Sequence, residues 1–394
     1  MVVLKLATKK KLIPLSIPYL NGSEKNFVIN CLKDNWVSSA GPYVEKFEKK
    51  FASIIKGSYA VACSSGTAAL HLALKTLNIK EGDLIFAPNL TFIASINVIK
   101  YIKADPILVD INKNTLQINI EILEKFLIEE CVIKKKICYH KKTGKKVRAI
   151  IAVHVLGYPC DLKRLIDISK KYNLFLIEDA AESLGSKAYG RYTGTHGIIG
   201  CFSFNGNKTI TTGSGGMIVT ANKNYAEKAK HLSQQAKEPG NGYIHSEIGY
   251  NYRMNNVQAA IGLGQLEDLR FRLEKKKSIY MKYKKELSSL KSISFPEELS
   301  NTESSYWLTT IIIDTKKVKK KINQVVLDLE KEKIETRLLW QPMNISKAHK
   351  GSIYTGKNFS LSAYKSCLSL PSSLNLKLAE QKRVILELKK ILSV

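Results

Sequence analysis

An acidic residue and a lysine near the middle of the chain are of the types that act together on a cofactor. The apolar run at residues 174–177 ends in Glu178 and Asp179, and Lys208 follows a phenylalanine-rich run. A lysine amine can hold an aldehyde cofactor as a Schiff base, and a carboxylate can keep the nitrogen of that cofactor's pyridine ring protonated. The two residues therefore indicate pyridoxal phosphate chemistry, with Lys208 and Asp179 as catalytic residues.

Each of these two residues also has a simpler explanation. Asp179 precedes two alanines and could cap a helix, while a lone lysine is most often solvated. Lys208, however, lies between the phenylalanine-rich run and the glycine-rich run at 212–216, outside the lysine clusters of the chain. This placement favours a catalytic lysine over a solvated one.

Small and hydroxyl-bearing residues provide a candidate phosphate site. Ser65, Gly66 and Thr67 follow a short apolar run and open a helical pattern. The first turn of a helix presents free backbone N–H groups and the positive end of the helix dipole, which suit a phosphate. An ordinary serine or threonine cap explains the same residues equally well. Ser203 could add a hydroxyl group to this phosphate, and Phe92 could either stack on the cofactor ring or belong to the core.

Short apolar runs alternate with amphipathic stretches from about residue 57 to 220. This alternation is typical of a mostly parallel sheet wrapped by helices, so we predict an α/β fold. Ligands of such sheets bind beyond the carboxyl ends of the strands, where Asp179 is expected. Residues 129–147 are predicted to form an inserted hairpin with its turn at 142–144.

The pattern changes beyond about residue 255. A long helical stretch to about residue 290 is followed by a strand at 307–313 and by two further helices. We therefore predict a large α/β domain at residues 1–255 and a smaller α+β domain at residues 256–394. The N-terminal residues 1–45 are expected to pack on the small domain or on a partner subunit.

Composition and charge narrow the classes of protein. The 394 residues carry a formal net charge of +28, but the lysines are spread along the chain and cluster mostly in helix-like stretches, as on solvated helix faces. Because no nucleic-acid-binding motif accompanies the charge, we predict no nucleic-acid partner. A positive field would still attract polyanionic ligands such as nucleotide-linked substrates.

Cysteine usage and hydropathy bear on the compartment. Seven cysteines without framework spacing indicate a reducing compartment, and no Cys-x-x-Cys pair suggests a metal site. No apolar run approaches the roughly 18–20 residues that a membrane span needs, and residues 1–11 lack the features of a signal peptide. We therefore expect a cytoplasmic protein without a metal centre or membrane insertion.

Five ordered stretches of the chain resemble the DegT/DnrJ/StrS sugar aminotransferases, which are fold-type I pyridoxal phosphate enzymes of the aspartate-aminotransferase superfamily. The likeness runs from about residue 13 to the C-terminus. Its most specific stretches are residues 36–41 (WVSSAG), 65–70 (SGTAAL), 178–182 (EDAAE), 202–208 (FSFNGNK) and 249–254 (GYNYRM). The resemblance implies a large domain with a mostly parallel seven-stranded sheet and a smaller C-terminal α+β domain.

The resemblance also implies catalytic roles for individual residues. Lys208 would carry the cofactor and move the proton, and Asp179 would pair with the pyridine nitrogen. Glu182 occupies the position that lies against the cofactor, where many relatives carry glutamine. An intact lysine distinguishes this chain from sugar dehydratases of the same family, in which histidine replaces the lysine.

The remaining cofactor contacts that the resemblance implies involve both subunits of a homodimer. The phosphate would be bound within one chain by the helix-opening residues and a hydroxyl group, while a phenylalanine would stack on the ring. Asn251 would reach the phosphate from the partner subunit, so that the homodimer shares its active sites. The residues within one chain are Ser65, Gly66, Thr67, Ser203 and Phe92.

Within the family, the chain is similar to transaminases that make UDP-linked 4-amino-4,6-dideoxy-N-acetylhexosamines for bacillosamine or legionaminic acid. Residues 13–18, the insertion at 129–147 and residues 181–186 suggest this subgroup. The expected reaction moves the amino group of L-glutamate to carbon 4 of a UDP-linked 4-keto-6-deoxy-N-acetylhexosamine and leaves 2-oxoglutarate. GDP-perosamine synthases, which share the Glu182 type, and dTDP-sugar aminotransferases are the alternatives.

The nucleotide sugar and any non-catalytic function stay open at this point. A binding or regulatory protein could retain the fold, since a fold alone does not determine function. For each candidate on the substrate side, core packing or surface exposure is an equally good explanation. These candidates are Trp36, Ser38, His154, Tyr306 and Arg337.

Overall fold

The computed structural model describes residues 10–240, 242–318 and 320–392. Within these ranges no helix is both long and apolar enough to span a membrane. The signal-peptide prediction rests mostly on residues 1–9, which lie outside the described part of the chain. The α-helices are α1 (Ser23–Lys33), α2 (Pro42–Ile55), α3 (Gly66–Thr76), α4 (Ala94–Tyr101), α5 (Ile120–Glu130), α6 (Leu162–Tyr172), α7 (Lys223–Ser233), α8 (Asn256–Glu267), α9 (Leu269–Leu287), α10 (Ile322–Lys331), α11 (Phe359–Tyr364) and α12 (Leu378–Leu392).

The strands form one large sheet and two small ones. They are β1 (Tyr59–Cys63), β2 (Leu84–Pro88), β3 (Asp105–Val109), β4 (Cys131–Lys134), β5 (Ile137–His140), β6 (Lys146–Val153), β7 (Phe175–Asp179), β8 (Lys187–Ala188), β9 (Arg191–Tyr192), β10 (Ile199–Ser203), β11 (Gly216–Thr220), β12 (Ile293–Ser294), β13 (Thr302–Glu303), β14 (Thr310–Ile313), β15 (Arg337–Leu338), β16 (Ile353–Thr355) and β17 (Cys367–Ser369).

The large sheet confirms the predicted mostly parallel α/β fold. Its main path runs β1-β11-β10-β7-β6-β2-β3-β16, and its strands pair in parallel from β10 through β16. The inner strands are apolar along most of their length because buried side chains of α3, α4 and α7 cover one face and those of α5 and α6 cover the other. The sheet has ten strands rather than the seven predicted, since β4, β5 and β16 extend it.

The insertion after α5 contains two turns rather than the one that was predicted. Strands β4 and β5 are joined at Lys135 and Lys136, which both have positive φ angles of 47° and 62°. The predicted turn at 142–144 instead joins β5 to β6. Two-residue hairpin turns of this kind usually contain asparagine, aspartate or glycine, so the two lysines carried no recognisable turn signal.

The part of the chain after residue 255 forms its own layer and also returns to the large sheet. Strands β12, β14, β17 and β15 make an antiparallel sheet, whose core includes side chains of α9, α10 and α12. The predicted strand at 307–313 begins at Thr310. Ile13 pairs with Ile334, and the Ser372 N–H donates to the Leu15 carbonyl, so residues 13–15 pack on this layer. The proposed boundary at residue 255 stays a prediction.

A single buried carboxylate fastens the C-terminal part to the edge of the large sheet. Asp110 follows β3 and is fully buried. Its carboxylate accepts hydrogen bonds from the Tyr354 hydroxyl group and from the N–H groups of Lys357, Phe359 and Ser360. Burial would raise the pKa of this carboxyl group, but the hydrogen bonds from Ser360 and the neighbouring N–H groups outweigh that effect and hold the pKa below its ordinary value.

The substitution Asp110→Asn is expected to destabilise the protein strongly, because an amide N–H₂ group would face donors that need an acceptor. We expect a loss of about 2–4 kcal/mol in the free energy of unfolding, measured by urea and thermal denaturation. Asp105→Asn is the control, since Asp105 is partly exposed and pairs with Lys100 and Lys145 at the surface. Its loss should be about 0–1 kcal/mol, and equal losses for both variants would contradict the fastening role.

Candidate active site

A cavity of about 290 Å³ opens beyond the carboxyl ends of β6, β7 and β10, where the large sheet meets the C-terminal layer. This is the place at which open α/β sheets bind ligands. Strands β15 and β17 contribute to the opposite wall. Nine residues predicted from the sequence line the cavity, namely Ser65, Gly66, Thr67, Phe92, Asp179, Glu182, Ser203, Lys208 and Arg337.

Asp179 is the last residue of β7 and directs a buried carboxylate to the cavity. Its Oδ2 accepts a hydrogen bond of 2.7 Å from the Ser95 hydroxyl group, and its Oδ1 accepts one of 3.1 Å from the Ala181 N–H. The Ser95 hydroxyl group lies in α4, which packs beside β3 and β2. Two hydrogen-bond donors are thus directed at the carboxylate, which suits its negatively charged form.

Lys208 reaches into the same cavity from the loop after β10. Its Nζ lies 3.5 Å from Glu182 Oε1 and 4.0 Å from the centre of the Trp307 ring. The other oxygen of Glu182 accepts a hydrogen bond of 2.8 Å from the Leu156 N–H. Leu156 adopts φ 61°, a strained conformation for a residue with a branched side chain, which directs its N–H at this carboxylate.

Burial raises the pKa of Glu182, and the nearby Lys208 amine and the Leu156 N–H partly offset this effect. The carboxyl group therefore holds a proton more readily than an exposed glutamate does. Lys208 and Glu182 together form an amine and a carboxyl group within reach of one another in a site with little access to water. Such a pair can hold and exchange protons.

The predicted phosphate site has the geometry of a tight cradle. Ser65 caps α3, its hydroxyl oxygen accepting a hydrogen bond of 3.0 Å from the Ala68 N–H. A Cβ atom on Gly66 would lie 2.7 Å from Ser203 Cβ, so only glycine allows α3 to begin this close to β10. The hydroxyl groups of Thr67, Ser203 and Ser214 line the same cavity as the first turn of α3. Capping and phosphate binding are therefore compatible here.

Two further observations indicate that the cavity is built for a ligand with both a polar part and an apolar part. The side-chain Oδ1 of Asn207 is buried and has no hydrogen-bond partner among the described residues, although Asn207 lines the cavity. Phe92 is 54% exposed in this chain, and its ring forms part of the cavity wall. Together with the cradle, Asp179 and Lys208, these groups fit a planar aromatic aldehyde that carries a phosphate.

Five residues predicted for the site lie outside the lining of this cavity. Asn251 is exposed on the chain after α7, where it pairs with Gln234. Trp36 and Ser38 lie on the surface, and the carbonyl oxygens of both residues accept hydrogen bonds from Asn256. The other two are His154 and Tyr306, which are buried.

His154 lies behind the site rather than within it. Its Nδ1 accepts a hydrogen bond from the Cys160 N–H, so its Nε2 carries the proton that is donated over 3.0 Å to Glu178 Oε2. The His154 N–H also donates to the Asp179 carbonyl. Tyr306 stacks on Tyr280 and lines a different cavity of about 690 Å³.

The sequence did not point to Ser95, Leu156, Asn207 or Trp307 as site residues. Trp307 was noticed only as the start of a strand, and Asn207 only as part of a motif. The asparagines that flank Gly206 were the one signal that could have been used, because polar side chains beside a candidate catalytic lysine are candidates for ligand contacts. The other contacts join distant parts of the chain.

Comparison with known proteins gives a consistent result. The DegT/DnrJ/EryC1/StrS aminotransferase family matches residues 18–389. The GDP-perosamine synthase of Escherichia coli O157:H7 is 42% identical over 85% of this chain and 86% of its own length. The putative pyridoxal phosphate-dependent aminotransferase EpsN of Bacillus subtilis (strain 168) is 38% identical over 95% of this chain and 94% of its own.

A solved structure extends the likeness to the fold. The crystal structure of a DegT DnrJ EryC1 StrS aminotransferase from Brucella abortus matches with a TM-score of 0.86 and 26% identity, covering 95% of this chain and 96% of that one. The family match spans both the large sheet and the C-terminal layer, and thus every residue that lines the cavity. The chain therefore belongs to the DegT/DnrJ/EryC1/StrS aminotransferase family, and it is a sugar aminotransferase whose cofactor is pyridoxal phosphate.

Proposed function

We propose that this enzyme transfers the amino group of L-glutamate to carbon 4 of a GDP-linked 4-keto-6-deoxyhexose. The observation that carries this proposal is the 42% identity to a GDP-perosamine synthase over 85% of the chain. Perosamine is a 4-amino-4,6-dideoxyhexose, so its nucleotide-linked form is the product of such a transfer. This relative supports the GDP-sugar alternative better than the UDP-linked N-acetyl sugar that the sequence motifs suggested.

The residues around the cavity divide the chemistry among them. When bound, pyridoxal phosphate supplies an aldehyde carbon that takes up an amino group and a ring that accepts the electron pair of a broken C–H bond. Lys208 would bind the aldehyde and, once released, would move the proton between the substrate carbon and the cofactor carbon. Asp179 would hold a proton at the pyridine nitrogen, and Glu182 lies 3.5 Å from the Lys208 amine as its neighbouring acid.

Binding of the cofactor is proposed to use the cradle at the start of α3. Gly66 and Thr67 would offer backbone N–H groups to the phosphate, while the hydroxyl groups of Ser65, Thr67 and Ser203 would complete its contacts. The half-exposed ring of Phe92 would stack on the pyridine ring. Asn251 would contact the phosphate of the partner subunit's cofactor, since it lies outside the cavity of its own chain.

Arg337 is the residue proposed to meet the diphosphate of the nucleotide sugar. It lines the cavity from β15, its side chain is 59% exposed, and its only neighbouring carboxylate within the described part of the chain is Glu335 at 3.6 Å. Guanidinium groups bind phosphate oxygens through two parallel hydrogen bonds. The net charge of +28 would also favour the approach of an anionic substrate.

Purified enzyme should aminate a GDP-linked 4-keto-6-deoxyhexose with at least about tenfold higher kcat/KM than UDP- or dTDP-linked 4-keto sugars, a preference of about 1.4 kcal/mol. The assay follows 2-oxoglutarate formed from L-glutamate, and the enzyme should be yellow until glutamate bleaches it. Lys208→Ala should have no turnover and serves as the blank. Preference for a UDP-linked N-acetyl sugar would restore the other substrate class, while an enzyme that bleaches but aminates no sugar would contradict both.

Asp179→Asn should lower kcat by at least about a hundredfold, or roughly 2.7 kcal/mol in activation free energy, because the neutral amide no longer favours a protonated pyridine ring. Ser95→Ala is the matched control, as it removes one hydrogen bond to the same carboxylate and keeps the charge. Its effect should be at most about tenfold. A rate for Asp179→Asn within about threefold of the wild type would make this residue a structural cap.

A shared site predicts rescue between two inactive variants. When Lys208→Ala and Asn251→Ala chains are mixed and allowed to exchange, a mixed dimer carries one site with both native residues. We expect up to about a quarter of wild-type activity from random pairing. Lys208→Ala mixed with Asp179→Asn is the control without rescue, because those residues line the cavity of the same chain. An active monomer, or full cofactor affinity in Asn251→Ala, would disprove the shared site.

A further inference from the structure

Trp307 connects the C-terminal layer to the lysine of the site. It precedes β14, is buried, and lines the cavity with the face of its ring 4.0 Å from Lys208 Nζ. Its indole N–H donates a hydrogen bond of 2.7 Å to the carbonyl oxygen of Asn207, the residue before Lys208. The Trp307 ring is therefore hydrogen-bonded to the residue before Lys208 and also contacts the Lys208 side chain.

We propose that Trp307 is a positioning residue for the amino-transfer reaction, which holds the released Lys208 amine over its ring in the ammonium form. The proposal rests on Lys208 being the cofactor lysine. A cation over the face of a tryptophan ring is attracted by the ring's electron density, and the attraction is strongest where water is excluded. The side chain of Lys208 is 13% exposed, so the contact lies in such a place.

The backbone of Trp307 is held by the buried amine of a second lysine, Lys276. Lys276 of α9 is fully enclosed, and its amine donates hydrogen bonds to the carbonyl oxygens of Trp307 at 2.9 Å and Ser372 at 2.7 Å. Burial lowers the pKa of Lys276 to about 7. A neutral amine still has two N–H groups to donate, so both hydrogen bonds persist when the proton is lost.

A second set of contacts holds the backbone around Trp307, in the segment that precedes β14. A Cβ atom on Gly157 would lie 3.1 Å from the Trp307 nitrogen and 2.5 Å from Ser305 Oγ, so glycine is needed for this approach. The Ser305 N–H donates to Ser186 Oγ at 3.0 Å, and Ser186 Oγ donates to the Gly157 carbonyl at 2.7 Å. The ring of Trp307 therefore has little freedom to move away from Lys208.

Other charged groups also face Lys208 and must be considered in any dependence on pH. Glu182 lies 3.5 Å from the amine on the large-sheet side, Asp179 lines the same cavity, and Arg337 lines it from β15. The carboxylates attract the ammonium and the guanidinium repels it, whichever residue stands at 307. A substitution of Trp307 therefore isolates the contribution of the ring.

During each half reaction the released Lys208 amine would take a proton from one carbon and give it to another, and it must stay close to both carbons. The Trp307 ring, whose centre is 4.0 Å from the amine, and Glu182, 3.5 Å from it, both limit the movement of the amine. The neutral amine would take the proton as the C–H bond breaks, and the ammonium over Trp307 would deliver that proton to the other carbon. The Trp307 ring thus favours the ammonium form of Lys208, which carries the proton between the two carbons.

The test is the pH profile of one half reaction. Enzyme converted to its pyridoxamine phosphate form is mixed with 2-oxoglutarate, and the return of the yellow absorbance is followed by stopped flow between pH 6 and 10. The rate should rise with pH to a plateau. We expect the midpoint of this rise to lie about 0.5–1 pH unit lower in Trp307→Leu and Trp307→Met than in the wild type. Trp307→Phe, which keeps an aromatic face, should shift the midpoint less.

Trp340→Leu is the matched control, because Trp340 lines the same cavity and its loss also removes an indole ring. Its midpoint should equal that of the wild type within about 0.2 unit, whatever its effect on rate. A loss of thermal stability or rate in Trp307→Leu and Trp307→Met without a shift of the midpoint would overturn the proposal, because a purely structural role predicts that result. If either variant fails to fold, the other and Trp307→Phe decide.

A separate measurement distinguishes failure of this proposal from failure of the function on which it rests. Borohydride reduction of the yellow wild-type enzyme followed by peptide mass spectrometry should place the reduced cofactor on Lys208. A cofactor found on another lysine would refute the role of Lys208 itself. A cofactor on Lys208 together with unshifted pH midpoints would refute only the role of Trp307.

Discussion

Burial of three carboxylates between positions 178 and 182 is the constraint around which the site is arranged. Glu178, Asp179 and Glu182 are all at most 5% exposed. A buried carboxylate is strongly destabilising unless hydrogen bonds or an opposite charge compensate it. Each of the three receives its partners from different elements. Glu178 is bonded by His154 and by the N–H groups of the loop at 194–197, Asp179 by α4, and Glu182 by the turn at Val155–Gly157 and by Lys208.

The two outer glutamates show how the hydrogen-bond partners of a buried carboxyl group determine the direction of its pKa shift. Burial would raise the pKa of Glu178, but the His154 ring and the N–H groups of Gly197 and Gly194 hold it below its ordinary value. Glu182 is buried to a similar extent, yet its pKa is raised because its partners compensate burial only in part. Glu178 therefore favours its anionic form, which accepts hydrogen bonds from the N–H groups of the loop at 194–197 behind the site. Glu182 lies beside Lys208 and holds a proton more readily than an exposed glutamate does, so we propose it as the carboxyl group that exchanges a proton during the reaction.

Features that depend on a local pattern of residue types could be predicted from the sequence, whereas contacts between distant segments could not. The alternation of apolar runs predicted the α/β sheet, and the ends of the runs at 174–177 and 202–204 led to Asp179 and Lys208. The edge strand β16 is only three residues long and pairs with β3, which lies 246 positions earlier in the chain (353 − 107), so no local signal marks it. His154 and Tyr306 were candidates for substrate contact because of their residue types. Their burial depends on Glu178, Cys160, Tyr280 and Glu298, which no spacing rule brings together.

The contacts that hold the C-terminal layer together and join it to the rest of the chain share one property, which explains why they could not be predicted from the sequence. Trp307 donates to the Asn207 carbonyl, Lys276 donates to the carbonyls of Trp307 and Ser372, and the Asp110 carboxylate accepts mainly from backbone N–H groups. In each contact one partner is a backbone peptide group. Every residue has a backbone carbonyl group, and every residue except proline has a backbone N–H group. Such contacts do not require a particular residue type on the backbone side, so they leave no matched pair of side chains in the sequence. A single buried side chain can therefore hold two distant segments together through hydrogen bonds in which only the side-chain partner is specified by the amino-acid sequence.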